Sequence, residues 1–228
     1  MVTKRNPTMT VDGTVYLRIP IKTHIVTDKD DIAEVVERYT RDVRKPGDLV
    51  VVSESVTAIT QGRAIPEKEI KISLLAGILW RFVSKVPYGI GLRSPATMQC
   101  AINEAGSLRI LLAALVGGLG RLVGRRGDFY RIAGMQAATI DAAHTSPVPP
   151  YDQCVIMGPK DPDKMACKIF ERTGHEAAIM DINDIGGSWV LGASRGIERK
   201  KLEAIMKDNP MGQGGELTPI ALIRKQTS

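Results

Sequence analysis

Apolar and polar positions alternate through residues 15–21 (VYLRIPI), the period-two pattern of a half-buried strand. Residues 49–53 (LVVVS) are a continuous β-branched run, as in a central strand buried on both faces. A third apolar run, 177–180, predicts a buried strand ending at Asp181, and residues 220–223 predict a closing strand. Shorter strands are expected at 129–132 and 153–157. Helical spacing sets Ile32, Val35, Val36 and Tyr39 on one face of a helix over 32–39, behind the acidic run Asp28, Asp30 and Asp31, which complements the helix dipole. Residues 66–73 are expected to open a helix that runs through 74–83, with Trp80 and Phe82 in the core. Ser94 and Pro95 signal a helix over 96–105, and Asp161-Pro162-Asp163 one over 164–173 that Gly174 ends. A last helix is expected over 197–207.

The chain has 228 residues, enough to bury a sizeable core, with 43% hydrophobic and 25% charged residues as in ordinary soluble proteins. The longest apolar stretch, 110–120, is about half the roughly 20 residues a membrane span needs. It reads as a buried helix or tight loop and argues against a membrane protein. A net charge of +6 favours anionic ligands, but aromatics are only 4%, too few for the stacking platforms of single-stranded nucleic-acid binding. Nucleic acid is therefore not the expected partner. Cys100, Cys154 and Cys167 cannot all pair and form no CxxC, the usage of a reducing, cytoplasmic compartment, and the N-terminal residues lack an apolar signal core.

Candidate chemistry concentrates in residues 176–187 (EAAIMDINDIGG). A strand running into Asp181, Asn183, Asp184 and two glycines offers hard oxygen ligands for Mn²⁺ or Mg²⁺ and free backbone N–H groups for phosphate. The alternative is a strand followed by an Asx turn. Residues 211–216 (MGQGGE) form a second oxygen-rich, glycine-freed loop. Gly62-Arg63 offers a planar donor fork to phosphate or carboxylate. Residues 117–127 (GGLGRLVGRRG) look phosphate-friendly without matching a P-loop, and Arg121, Arg125 and Arg126 read equally as a solvated face. Arg93 before a helix start, after the Gly89–Gly91 bracket around Ile90, is either an anion site or an ordinary cap. Asp141 and His144 have helical i, i+3 spacing but are too few for a closed zinc site. His24 reads as a hydrogen-bonded structural residue, and the proline-rich segment 145–163 as an extended crossing connection.

Four blocks together resemble the coenzyme F-420:L-glutamate ligase (γ-glutamyl ligase) family. They are Asp30-Asp31-Ile32-Ala33-Glu34 through residues 46–53 to Gln61-Gly62-Arg63; Ala133-Gly134 through Ile140-Asp141; Asp161-Pro162 through Ile179-Met180-Asp181-Ile182-Asn183; and residues 211–216 with Pro219. The last two are the most specific. The resemblance covers most of the chain except residues 66–127. It implies an α+β fold of mixed sheets with packed helices, organised as a single ligase-like unit over 1–228 with a divergent or inserted subregion at 66–127. It also implies a homodimer and a GTP-dependent ligase that uses Mn²⁺ or Mg²⁺ to join glutamate, or a similar amino acid, to a small-molecule carboxylate acceptor. On this resemblance the metal ligands are Asp141 (Gln136 in an alternative alignment), Asp181 and Gln213. Lys22, Arg63, Asn183, Asp184, Gly212, Gly214 and Gly215 are the nucleotide and phosphate residues. The chain departs from the family pattern at Ile182, where a threonine is usual, and at Ala58-Ile59, where the family has Ser-Lys.

Overall fold

The computed structural model describes residues 6–83, 91–125, 127–184 and 187–226. Gly89, Ile90, Arg126, Ile185 and Gly186, singled out above, lie outside the described residues. The chain divides into two compact units, Met1–Gln61 with Asp161–Ser228, and Gly62–Lys160. The first unit opens with β1 (Thr8–Val11), β2 (Thr14–Ile21), α1 (Ile32–Thr40), β3 (Leu49–Ser53) and α2 (Glu54–Thr60). The second holds β4 (Ala64–Pro66), α3 (Leu74–Leu79), α4 (Pro95–Ala105), α5 (Ser107–Leu122), α6 (Asp128–Ala133), α7 (Met135–Ala138) and β5 (Cys154–Ile156). The chain returns to the first unit with α8 (Pro162–Thr173), β6 (Ala177–Asn183), β7 (Gly187–Ala193), α9 (Arg199–Met206) and β8 (Ile220–Lys225). This is the mixed α+β class expected.

The first unit is built on a six-stranded sheet in the order β1-β2-β8-β3-β6-β7. Its neighbours are antiparallel except β3 and β6, which run parallel with Ser53 opposite Met180. The β-branched run 49–53 is thus a central strand, as its composition requires. Strand alternation sends Val50, Val52, Ala177, Ile179, Ile220 and Leu222 to one face, where Val36 of α1 and Ile169 of α8 cover them. Val51, Ala178, Met180 and Ala221 go to the other, against Leu202 and Ile205 of α9. Each fully buried aliphatic side chain contributes about 1.5–3 kcal/mol, so these two layers fix the register.

The helix boundaries follow local chemistry. Asp31 caps α1 by accepting the Ala33 and Glu34 N–H groups at 3.0 and 3.2 Å. His24 is structural, with Nδ1 2.9 Å from the Tyr39 hydroxyl and Nε2 3.1 Å from Asp30. Ser94 and Thr97 close a capping box on α4. The strand expected to stop at Asp181 continues to Asn183, because β7 pairs with it through Asn183↔Gly187.

Four expectations for the second unit fail. Residues 66–73 hold only a 3-10 turn at Glu67–Glu69, and Ser73 caps α3 by accepting the Ala76 N–H at 3.2 Å. The cap moves the helix start past the Glu-Ile-Lys-Ile alternation. Trp80 is half-buried, but Phe82 is 68% exposed. The strand expected over 129–132 is helix α6, and residues 117–122 are not a phosphate loop but the last turns of α5. One contact explains both. A Cβ at Gly117 would meet Phe129 Cβ at 2.9 Å, and one at Gly120 would strike the Asp128 carboxylate, so these glycines let α6 pack against α5. Asp128 is buried there between Arg125 and Arg131, each 3.2 Å away. The stretch 110–120 is helical as one reading had it, yet only Ile110, Ala113 and Gly120 of α5 are buried.

Candidate functional site

Three strand ends meet at one end of the sheet. β3 ends at Ser53 and β6 carries Asp181 just beyond its partner Met180. β2 ends opposite the start of β8, with Ile21 paired to Ile220. The loop leading into β8 is tied to this end by two backbone bonds, Thr23 N–H to Leu217 C=O and Ser53 N–H to Pro219 C=O, both 2.9 Å. The carboxyl ends of parallel strands are where open α/β sheets place ligands, because the chain must leave the sheet there through loops.

Asp181 is a half-buried acid at this end of the sheet. Burial alone pushes its carboxyl above the usual carboxylate range. Among the described residues no hydrogen bond or ion pair reaches that carboxylate. Its cross-strand neighbour is Trp189, whose ring also lies over Gly187 on the same face of the hairpin. Asn183 faces the same way and uses Oδ1 to accept the Gly187 N–H at 3.0 Å. The intervening Ile182 packs into the opposite apolar layer.

The loop over 211–216 is bound to this strand end. The Asp184 N–H donates to Gln213 Oε1 at 3.1 Å. Asn209 Nδ2 donates to Asp184 Oδ1 at 2.7 Å, and Asn209 Oδ1 accepts the Gly212 N–H at 3.0 Å. Gly212 sits at φ +91°, a conformation that a side chain would strain. Gln213, Gly214 and Gly215 are exposed, as is Lys22 on the segment after β2. Asp181, Asn183, Asp184, Gly212, Gln213 and Lys22 therefore all belong to one unit and one sheet end.

Asp141 and Arg63 belong to the second unit. Asp141 is not helical: it exchanges both backbone bonds with Ile156, at 2.8 and 3.0 Å. His144 sits at φ 68° and leaves that direction, so the i, i+3 pair does not form on a helix. Arg63 donates Nε to the Gly158 carbonyl at 2.6 Å and pairs with Glu104 at 3.0 Å. Arg93 is exposed beside the capping box, in which Ser94 itself accepts the Thr97 N–H.

Among the described residues no group of three or more His, Cys, Asp or Glu side chains is placed to hold a metal ion. The oxygen donors of the first unit still suit a hard cation in kind. Asp181 offers a half-buried carboxylate with no counter-charge among the described residues, and Gln213 an amide oxygen with a second lone pair. Sequence reasoning assigned no role to Glu54. It follows β3 as Asp181 follows the apolar part of β6, and it is buried at 6% exposure at the start of α2, which packs beside β6. The recoverable signal was the repeated pattern of an acid directly after a continuous apolar strand.

The model of the family F420-0:Gamma-glutamyl ligase matches residues 20–195, which include Lys22, Glu54, Arg63, Asp141, Asp181, Asn183 and Asp184 but not the loop over 211–216. Comparison with curated proteins gave no match. The matched span exceeds half of the chain and contains the parallel pair β3–β6 with the acids at its end, and on that basis the chain belongs to the F420-0:gamma-glutamyl ligase family.

Proposed function

We propose that this chain is a nucleotide- and divalent-metal-dependent ligase that forms a γ-glutamyl-type amide between a small-molecule carboxylate and an amino acid. The single observation that supports this best is Asp181, a half-buried carboxylate at the carboxyl end of the parallel pair, raised by burial and with no counter-charge among the described residues. Such a group costs stability in the free protein, and a cation bound beside it would offset that cost.

A carboxylate is a poor electrophile. Transfer of the terminal phosphoryl group of GTP to it gives an acyl phosphate and releases GDP. The amine then attacks the carbonyl carbon, inorganic phosphate leaves, and the amine gives up a proton. A bound Mn²⁺ or Mg²⁺ supplies charge neutralisation on the phosphate oxygens. In this reading Asp181 and Gln213 would hold the cation, and Lys22 and the backbone N–H groups of Gly214 and Gly215 would take phosphate oxygens, while Gly212, its N–H donated to Asn209, shapes the turn that presents them. Asn183 and Asp184 orient the strand end around them. Asp141 is proposed as a further metal ligand and Arg63 as a further phosphate residue, tested by Asp141→Ala and Arg63→Ala in the same titration. The working form proposed is a homodimer.

Isothermal titration of the full chain with GTP and Mn²⁺ tests this. Binding is expected to require both, and Asp181→Ala should weaken it by about 2–4 kcal/mol. Undetectable binding by the wild type, or unchanged binding by the variant, overturns the proposal. A second reading, a nucleotide- or metabolite-binding homologue without turnover, draws on Ile59, which is 5% exposed and places an apolar side chain where the family has a cation. Tight nucleotide binding without phosphate release across an amino-acid and acceptor screen would select it.

A further inference from the structure

Helix α5 turns its leucines outward. Leu108 is 82% exposed, Leu112 52%, Leu115 61%, Leu119 56% and Leu122 84%. Alternating steps of four and three residues put all five on one helix face, opposite the buried Ile110, Ala113 and Gly120. Singly scattered apolar residues are normal on a soluble surface, but a continuous stripe is an interaction patch.

The stretch of chain that carries this stripe is strongly basic in sequence, although the buried Asp128 beside α5 pairs with Arg125. Residues 70–127 contain eight Lys and Arg but one acid, Glu104, and that acid is paired with Arg63. The stretch therefore carries a net +7, and the rest of the chain sums to −1, for the total of +6. Arg109 and Arg121 are exposed on α5 itself. Arg121 donates to the Phe82 carbonyl at 3.1 Å, which sets Phe82, 68% exposed, beside the C-terminal end of the stripe. The Arg81 guanidinium lies 5.3 Å from the neighbouring Trp80 ring.

A second copy of the chain laid on this face would bring like-charged arginines together. An anionic lipid surface satisfies both features at once: leucine and phenylalanine side chains enter the acyl boundary, and the guanidinium groups reach lipid phosphates. We propose that this face of the second unit docks peripherally on an anionic phospholipid bilayer, with α5 lying in the plane of the interface. α4, which meets α5 at a 116° bend, stays in the protein, since Met98, Cys100 and Ala101 are in the core of the unit. Among the described residues no single helix is long and apolar enough to cross a membrane.

The test is co-sedimentation of the full chain with phosphatidylcholine vesicles containing about one-third phosphatidylserine, against vesicles of phosphatidylcholine alone. The anionic vesicles should bind at least about tenfold more protein, and raising salt from about 0.05 to about 0.5 M should remove most of it. The combined variant Leu108→Gln, Leu115→Gln and Leu122→Gln should lose binding while keeping the wild-type melting temperature, because these side chains are mostly exposed in the free chain. Three results overturn the proposal: no binding to anionic vesicles at low salt, equal binding to both compositions, or unchanged binding by the triple variant. A lipid-free dimer that the same triple variant dissociates also overturns it and assigns the face to a second copy.

Discussion

Gln213 Oε1 accepts the backbone N–H of Asp184 at 3.1 Å across 29 residues of chain, and this bond joins the last glycine-rich loop to the end of β6. Asn209 makes the same junction from the buried side. It is 1% exposed, bonded to Asp184 and Gly212, and held in the left-handed region at φ 47°. Asparagine tolerates that conformation better than alanine does, by roughly 1 kcal/mol. Asn209→Ala should therefore cost about 2–4 kcal/mol, from two lost hydrogen bonds and the strained backbone. Gln213→Ala, at an exposed position, should cost about 1 kcal/mol or less. Urea midpoints of the two variants give the comparison, and equal costs would mean that Asn209 does not anchor the loop.

Asp181 sets stability against function. Its folded-state pKa lies above the unfolded value because burial penalises the charged form. The folded chain then holds more protons than the unfolded chain between those two values, so this group's contribution to stability falls as pH rises through that window. Asp181→Asn keeps the shape and removes the charge. Its melting temperature at pH 7 should rise above that of the wild type, and the gap should close in acid below the unfolded pKa. Millimolar Mn²⁺ with GTP should stabilise the wild type and leave the variant unmoved. A variant that melts lower at pH 7 would show that the Asp181 carboxylate is compensated in the folded chain.

What could be read from the sequence depended on how local its cause was. β3 is central because four of its residues are apolar and three β-branched, and α1 begins where Asp31 can accept two N–H groups. The Asp181 strand end and the loop over 211–216 were legible as separate oxygen-rich stretches, and the family resemblance rested partly on them. Their joining through Asn209 was not legible, since nothing in an Asp-Asn-Pro turn indicates which distant carboxylate it will meet. β7 is hidden because Gly187, Ser188 and Gly192 interrupt its alternation, and without it nothing in the sequence extends β6 past Asp181. α6 was misread because Phe129, Tyr130 and Ile132 favour strands locally, while packing against the glycines of α5 decides for helix.

The α5–α6 packing sets two opposing effects against each other. Gly117→Ala should gain up to about 1 kcal/mol from helix propensity. Against that, the added Cβ would lie 2.9 Å from Phe129 Cβ and 3.2 Å from the Phe129 backbone, and backbone cannot swing aside as a side-chain tip can. Overpacking of this kind costs about 1–3 kcal/mol, so the clash should win and the variant should be less stable by up to about 2 kcal/mol. Gly118→Ala, with open space at its Cβ, is the control and should be neutral or stabilising. Thermal melts of the pair decide the point, and matching stabilisation in both would remove the packing explanation for Gly117.

The acid sensitivity of the first unit should centre on Asp48 and Arg224. Burial by itself raises the Asp48 carboxyl, but the Arg224 guanidinium and the Lys45 N–H outweigh it and hold the group below the usual carboxylate range. The pairing is bidentate, Arg224 Nε to Oδ1 at 2.8 Å and the terminal nitrogen to Oδ2 at 2.7 Å, with the Asp48 side chain fully enclosed. A depressed folded-state pKa contributes stability that is complete above the unfolded value of about 3.9 and is lost as pH falls through the folded one. Asp30, Asp31 and Glu37 shift the same way, but as partly exposed surface groups they contribute little. Asp48→Asn should cost about 3–5 kcal/mol at pH 7, because it leaves the Arg224 charge uncompensated beside the sheet. The difference from the wild type in urea midpoint should then narrow steadily below about pH 4. A difference that stays constant down to the lowest pH at which both proteins fold would assign the acid transition to other carboxylates.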